Sequence, residues 1–209
     1  MPPTPTAIEQ RMARSDEARL ISRAKRGHAD AFRDLVDLYK DRLFAFVWRT
    51  VRNHHEAEDI CQSAFVKAYE SLAAYNETYA FSTWLFTIAY RLSLNMLRKR
   101  RAVSSDIDLT EVGGEGDETA ICLANSEEAN RLRERIWAAV EQLSTAQRAA
   151  VLLFYREGKG CPEIGEILGM PAVTVKSHLH RAREKLRSLL DGELADDWMS
   201  VRFTDSRAG

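Results

Sequence analysis

Residues 161–190 read CPEIGEILGMPAVTVKSHLHRAREKLRSLL, and the fold is decided in this stretch. A short apolar-periodic segment (Ile164, Ile167, Leu168) stops at Gly169, the residue type expected just past a helix end. A second, longer helix follows, with Pro171 at or near its first turn, where a missing N–H costs nothing. Its apolar positions, Val175, Leu179, Ala182, Leu186 and Leu189, recur at helical period and define one buried stripe. Two helices joined by a tight turn containing Gly form a helix-turn-helix. The other side of the second helix carries Lys176, Ser177, His178, His180, Arg181, Arg183 and Lys185. Residues 172–190 hold five basic side chains against one acid, Glu184. A solvated helix face usually mixes signs, so this one suits a recognition helix whose first turns enter the major groove.

Upstream of this motif the apolar positions Leu132, Ile136, Ala139, Val140 and Leu143 mark a helix. Ser144-Thr145-Ala146-Gln147 is a capping box opening the next, which runs through Val151–Tyr155 and ends at Gly158. Residues 103–127 lack periodicity, contain Gly113, Gly114 and Gly116, and carry seven acids and no base, so they read as a flexible acidic linker. Before the linker, residues 1–102 carry 17 basic and 12 acidic side chains, and beyond it residues 128–190 carry 11 and 7. The tail 191–209 has two bases and five acids. A net charge of −1 thus hides two basic modules around an acidic strap.

The first module reads as four helices. Residues 1–15 are polar, contain three Pro and read as frayed; a helix starts near Ser15 or Asp16 and ends before Gly27. Asp30 is suited to cap a long helix to about Arg52, and Asn53-His54-His55 is a break with no third metal ligand in sequence. A third helix, 56–74, opens on Glu56, Glu58 and Asp59, which suit its dipole. After a polar, aromatic loop (74–83), Ser82 or Thr83 caps a fourth helix from Trp84 to about Arg101, with Leu85, Ile88, Ala89, Leu92 and Met96 facing inward. Another face carries Trp84, Thr87, Arg91, Asn95 and Arg98 and ends in a run of four basic residues. Spacing leaves two readings open for it: aromatics and cations on a single-stranded nucleic acid, or core aromatics with a basic cluster that favours the helix end.

The expected architecture is all-α, with two small helical domains, 17–102 and 128–190, between a flexible extension (1–16), the linker (103–127) and an acidic tail (191–209). No apolar run approaches a membrane span, and the N-terminus lacks the apolar core of a secretion signal, so the expectation is cytoplasmic. Cys61, Cys122 and Cys161 lack metal-ligand spacing and read as reduced thiols. No phosphate loop, nucleophile motif or ligand cluster is present, which argues against an enzyme, a metal or a cofactor.

Three blocks together resemble a bacterial RNA polymerase sigma factor of the extracytoplasmic-function class. Glu56–Phe65 resembles the family's core-binding helix; Phe81–Arg91 with Leu97–Arg101 resembles its promoter-melting loop and minus-ten helix; Leu143–Leu186 resembles its minus-thirty-five domain. The resemblance implies that Glu56, Glu58, Asp59, Gln62 and Phe65 meet core RNA polymerase. It assigns Tyr75, Asn76, Phe81, Ser82, Thr83, Trp84, Arg91, Asn95 and Arg98 to the minus-ten strand. Lys176, Ser177, His178, His180 and Arg181 would read the minus-thirty-five duplex, with Arg183 and Lys185 on phosphates. It further implies promoter DNA as ligand, a monomer when free, and an anti-sigma factor partner, often membrane-anchored. The chain departs from the family pattern at Cys161, where a Ser or Thr cap is common, and at Gly165, which replaces a usual Ala at up to ~1 kcal/mol. Pro171 and Ala172 replace Ser and Gly, and Cys61 and Ser63 replace Thr and Glu. The rival readings are a sigma-like mimic that sequesters an anti-sigma factor and a plain helix-turn-helix repressor, which would bind operator DNA alone as a dimer.

Overall fold

A computed structural model describes residues 7–106 and 127–190, and among them every regular element is helical. In chain order the helices are α1 Ala7–Lys25, α2 Ala29–Val51, α3 His54–Glu70, α4 Phe81–Asp106, α5 Glu127–Glu141, α6 Thr145–Val151, α7 Cys161–Leu168 and α8 Ala172–Leu189. The expected linker lies mostly outside the described residues, and the tail lies wholly outside them.

Helices α1–α4 pack around one core. Leu35, Tyr39, Leu43, Phe46 and Val47 of α2 meet Ala57, Ile60 and Ala64 of α3 and Phe81, Leu85 and Phe86 of α4, all buried. Burying each such aliphatic or aromatic side chain contributes roughly 1.5–3 kcal/mol, which is why the apolar spacing sets the packing face. Several local expectations change. Helix α1 begins at Ala7, inside the stretch read as frayed. Asp30 is not the cap of α2: His28 holds that position, and Asp30 sits in the first turn, bonded to Arg23. The break at 53–55 is a cap instead, since Asn53 Oδ1 accepts the Glu56 N–H at 2.9 Å and α3 starts at His54. Helix α3 ends at Glu70, with a short 3-10 turn at Leu72–Ala74.

Helix α4 starts at Phe81, so Ser82 and Thr83 lie in its first turn and are not caps. Its buried face is rotated from the expected stripe: Phe86, Tyr90 and Ser93 are buried, whereas Ile88, Leu92 and Met96 are half-buried. Apolar residues occupy nearly every side of 84–92, so periodicity alone leaves the face ambiguous, and packing against α2, α3 and α7 selects it. Ser93 tolerates burial because its hydroxyl donates to the Ala89 carbonyl at 2.9 Å.

Helices α5–α8 form the second unit. The Ser144 capping box is present, with Ser144 Oγ and Gln147 Oε1 each accepting the other residue's backbone N–H. Helix α6 continues as a π-helical turn, Leu152–Arg156, before Gly158 at φ 66°. Cys161 is not the cap of α7: Gly160 is, and Glu163 returns a carboxylate to its N–H at 3.2 Å. Gly169 closes α7 in the left-handed region at φ 69°, as expected from its place. Val175, Leu179, Ala182 and Leu186 are buried; Leu189 is exposed and Leu190 takes its place. Gly165 also has a steric role. A Cβ there would lie 2.6 Å from the Met170 carbonyl oxygen, because the turn folds directly onto α7.

Candidate nucleic-acid interface

The second helix of the helix-turn-helix, α8, presents Lys176, Ser177, His180 and Arg181 to solvent, with His178 half-buried. Burial of Val175, Leu179 and Ala182 fixes which way these side chains face. Ser177 Oγ turns back onto the Val173 carbonyl at 3.1 Å, and His180 lies 3.5 Å from Glu184. Two residues expected on phosphates have work inside the unit. Arg183 donates to the Tyr155 hydroxyl at 2.7 Å, and Lys185 donates to the Gln142 carbonyl at 2.6 Å. They brace α8 against α5 and the turn after α6, which sets the angle at which α8 is offered.

On α3, Glu58, Asp59 and Gln62 are exposed along one side, Phe65 is half-buried, and Glu56 is held by Arg100 of α4 at 3.2 Å. Glu58 also supplies the third group that the sequence did not show beside His54 and His55, at 3.6 and 3.7 Å from their Nδ1 atoms. The three ligand atoms lie within 4.8 Å of one another. All three groups are exposed, and the helix N-terminus beneath them disfavours a cation. The arrangement does the work of weak His–Glu pairs at i,i+3 and i,i+4.

The loop and α4 divide into a covered part and an open part. Tyr75, Phe81 and Trp84 form an aromatic cluster with ring centroids 5.1–5.6 Å apart, and Tyr39 adds a further edge to Phe81. Tyr75 and Phe81 are buried and Trp84 half-buried, so the core reading applies to the first two. Asn76 is exposed, and its Oδ1 accepts the Thr78 N–H at 3.1 Å. Arg91, Asn95 and Arg98 are exposed. Arg91 also lines an open groove of about 460 Å³ with Lys67, Glu70, Ser71, Ile88 and Leu92.

Ser82 and Thr83 are covered by the second unit. Lys159 Nζ donates to Ser82 Oγ at 2.7 Å, Thr83 Oγ1 at 2.9 Å and Glu163 Oε1 at 3.0 Å, and Thr83 donates to the same Glu163 oxygen at 3.0 Å. Burial pushes the Glu163 carboxyl up, but bonds from Lys159, the Gly160 N–H and Thr83, with the Lys159 charge, hold it below the usual carboxylate range. Further ties join the units. Arg42 bonds Glu157 at 2.6 and 3.0 Å, Arg52 meets Glu141 at 2.8 Å, Arg148 donates to the Arg49 carbonyl at 3.0 Å, and Arg49 stacks on Trp137 at 3.1 Å. Sequence reasoning found none of these ties. Each joins residues far apart in the chain, and neither partner breaks a local pattern.

Residues 35–103 match sigma-70 region 2, and residues 133–186 match sigma-70 region 4. The ECF RNA polymerase sigma factor SigW of Bacillus subtilis is 34% identical over 180 residues, covering 81% of this chain and 94% of that protein. The ECF RNA polymerase sigma-E factor of Escherichia coli K12 is 33% identical over 177 residues, covering 80% and 90%. Among solved structures, the sigma factor RpoE of Bartonella quintana, determined with the anti-sigma factor NepR, aligns with a TM-score of 0.65 at 26% identity over 76% of this chain and 95% of its own. CnrH, determined with the cytosolic domain of CnrY, aligns at 0.61 with 24% identity over 85% and 98%, a likeness of fold.

Proposed function

The chain belongs to the extracytoplasmic-function class of the sigma-70 family, and from that premise we propose how its residues divide the work of a transcription initiation factor. Such a factor acts by binding, with no catalytic step of its own: it joins core RNA polymerase and directs it to promoters. The first unit, 17–102, meets core polymerase through the exposed side of α3, with Glu58, Asp59 and Gln62 as polar contacts and Phe65 as the apolar one. Glu56 acts by holding Arg100, which orients the basic end of α4.

The second unit, 128–190, reads the minus-thirty-five element as duplex. Lys176, His180 and Arg181 lie on the exposed side of α8, and a well-made bidentate base contact from this side is worth about 1–3 kcal/mol. The observation that carries this assignment is the division of α8 into a buried apolar stripe and a basic face held at a fixed angle by Arg183 and Lys185. The minus-ten strand runs along Arg91, Asn95 and Arg98, where cations hold phosphates, and toward Trp84, on which an unstacked base rests.

The chain works in the cytoplasm, where polymerase and promoter meet, and no described helix is long and apolar enough to cross a membrane. The structural neighbour RpoE was solved with the anti-sigma factor NepR. An anti-sigma factor, in some cases membrane-anchored, is the matching regulator here, and the factor is monomeric when free.

Size-exclusion co-elution with core polymerase at moderate salt, without DNA, tests the assignment of α3. Near one-to-one co-elution, lost on Asp59→Lys combined with Gln62→Ala, supports it, and unimpaired binding by that variant refutes it. Arg181→Ala should weaken minus-thirty-five duplex binding at fixed salt by about tenfold, with loss of preference at one base pair. A uniform loss across all sequences would reassign Arg181 to phosphate.

A further inference from the structure

A single apolar side chain in solvent is ordinary on a protein surface, so its place decides whether it carries meaning. Val173 is 69% exposed, more than any other large apolar residue among the described ones. It lies in the first turn of α8, two residues before Val175, which is fully buried. Two residues turn a helix by about 200°, so Val173 faces away from the core. Counting on by three and four along its side gives Lys176, Ser177, His180 and Arg181, all exposed. Val173 is therefore the N-terminal end of the basic face, in the part of a recognition helix whose side chains meet base edges. Local structure gives no reason for a valine there: it is β-branched, a poorer helix former than Ala, Glu, Lys or Gln, and at this exposure adds little to the core.

The major groove presents donors and acceptors from every base pair and one apolar group, the 5-methyl of thymine. A valine side chain neither donates nor accepts, so that methyl is the feature it can recognise. We propose that Val173 determines specificity at one A·T pair of the minus-thirty-five element, by packing its γ-methyls on the thymine 5-methyl. The inference rests on the reading of α8 as the helix that enters the minus-thirty-five groove.

The surroundings of Val173 support the same pair. The turn that carries it is fixed, since the Thr174 and Val175 N–H groups donate to the Pro171 carbonyl at 2.9 and 3.2 Å. One turn on, the Ser177 hydroxyl donates its only hydrogen to the Val173 carbonyl at 3.1 Å, so toward the groove it offers lone pairs and no donor. Cβ atoms four residues apart on a helix lie about 5–6 Å apart, which lets both side chains address one short stretch of base edges. An acceptor beside a methyl-binding group suits an A·T pair, where the adenine N6 amino group donates and the thymine carries the methyl. Cytosine also donates, from N4, but has no 5-methyl, so the apolar contact is what separates the two pairs. Lys176 and Arg181 supply donors and charge on the same face, whereas the Val173 contact adds nothing to the salt dependence of binding.

The test uses the full chain assembled with core polymerase and a labelled promoter duplex carrying the minus-thirty-five sequence that this holoenzyme selects from a random library. Affinity is read by fluorescence anisotropy at fixed salt. Each thymine of the element is replaced in turn by deoxyuridine, which removes the methyl and no hydrogen-bonding group. At one position wild type should bind roughly fourfold more weakly, the effect of one methyl no longer buried. Val173→Ala should bind the unsubstituted duplex more weakly by a similar factor and should no longer distinguish thymine from uracil at that position, with its salt slope unchanged. The position is exposed and alanine is the better helix former, so this substitution leaves folding intact. If no deoxyuridine weakens wild-type binding, or if Val173→Ala keeps the wild-type ratio of thymine to uracil affinity at every position, the proposal is overturned. A loss by Val173→Ala that is uniform across sequences overturns it too, since that marks a structural role. The reading beneath it is tested apart: a wild-type holoenzyme that selects no minus-thirty-five sequence overturns the assignment of α8, before any thymine is replaced.

Discussion

Gly165→Ala sets two rules against each other at one atom. Helix propensity says that replacing Gly within α7 should stabilise by about 1 kcal/mol, since Gly loses more backbone freedom on folding. The structure opposes this, because the new Cβ would sit 2.6 Å from the Met170 carbonyl oxygen where ordinary contact begins at 3.4 Å. The obstructing atom is backbone, and its residue is anchored: the Met170 N–H donates to the Gly165 carbonyl at 3.0 Å. The turn therefore cannot retreat without stretching the bond that closes it. Inserting a methyl into a packed site costs about 1–3 kcal/mol, which exceeds the propensity gain at most of that range. The expected net loss is about 1 kcal/mol, or a Tm lower by about 2–4 °C in a chain of this size. Thermal unfolding by circular dichroism measures it, and minus-thirty-five duplex binding should weaken with it because α8 starts three residues beyond Gly169. A higher Tm for Gly165→Ala would refute the steric argument and leave propensity in command.

Leu186→Ala empties a fully buried position beneath α8 and should cost about 2–5 kcal/mol in urea unfolding; a loss under 1 kcal/mol would mean the site collapses without strain. The Cys61 thiol, pushed up to about 12 by burial with Glu58 adding to it, should resist alkylation near pH 8 in the native factor and react on denaturation, and rapid native labelling in a peptide map would contradict its burial. Because the Glu163 carboxyl is held low in the folded chain, its contribution is present above the ordinary carboxylate pKa of about 4.3 and is lost as pH falls through the lower folded value. Wild type should thus lose more stability than Glu163→Gln on acidification from about pH 5 to about pH 3, and parallel losses would show that Glu163 carries none of the effect.

The sequence by itself determined the helical class, the turn at Gly169, the capping box at Ser144 and the buried stripe from Val175 to Leu186. These depend on spacing within one helix or on a cap a few residues away, so the local pattern contains the whole cause. It also determined the basic face of α8, since burying the stripe leaves the charged residues outside. Only the tertiary structure decided the rest. Whether Phe81 is core or ligand depends on Tyr39 and Tyr75 meeting it, and the face of α4 depends on three neighbours packed around a segment apolar on most sides. The bonds from Arg183 to Tyr155 and from Lys185 to Gln142 cannot be read from spacing within α8. Gly165 looks like a weak helix residue until the Met170 carbonyl arrives. The bonds from Lys159 to Ser82 and Thr83 cross 77 and 76 positions of chain, and no pattern in either segment signals a partner at that distance. Residues brought together by two packed units make contacts that neither unit's sequence encodes alone.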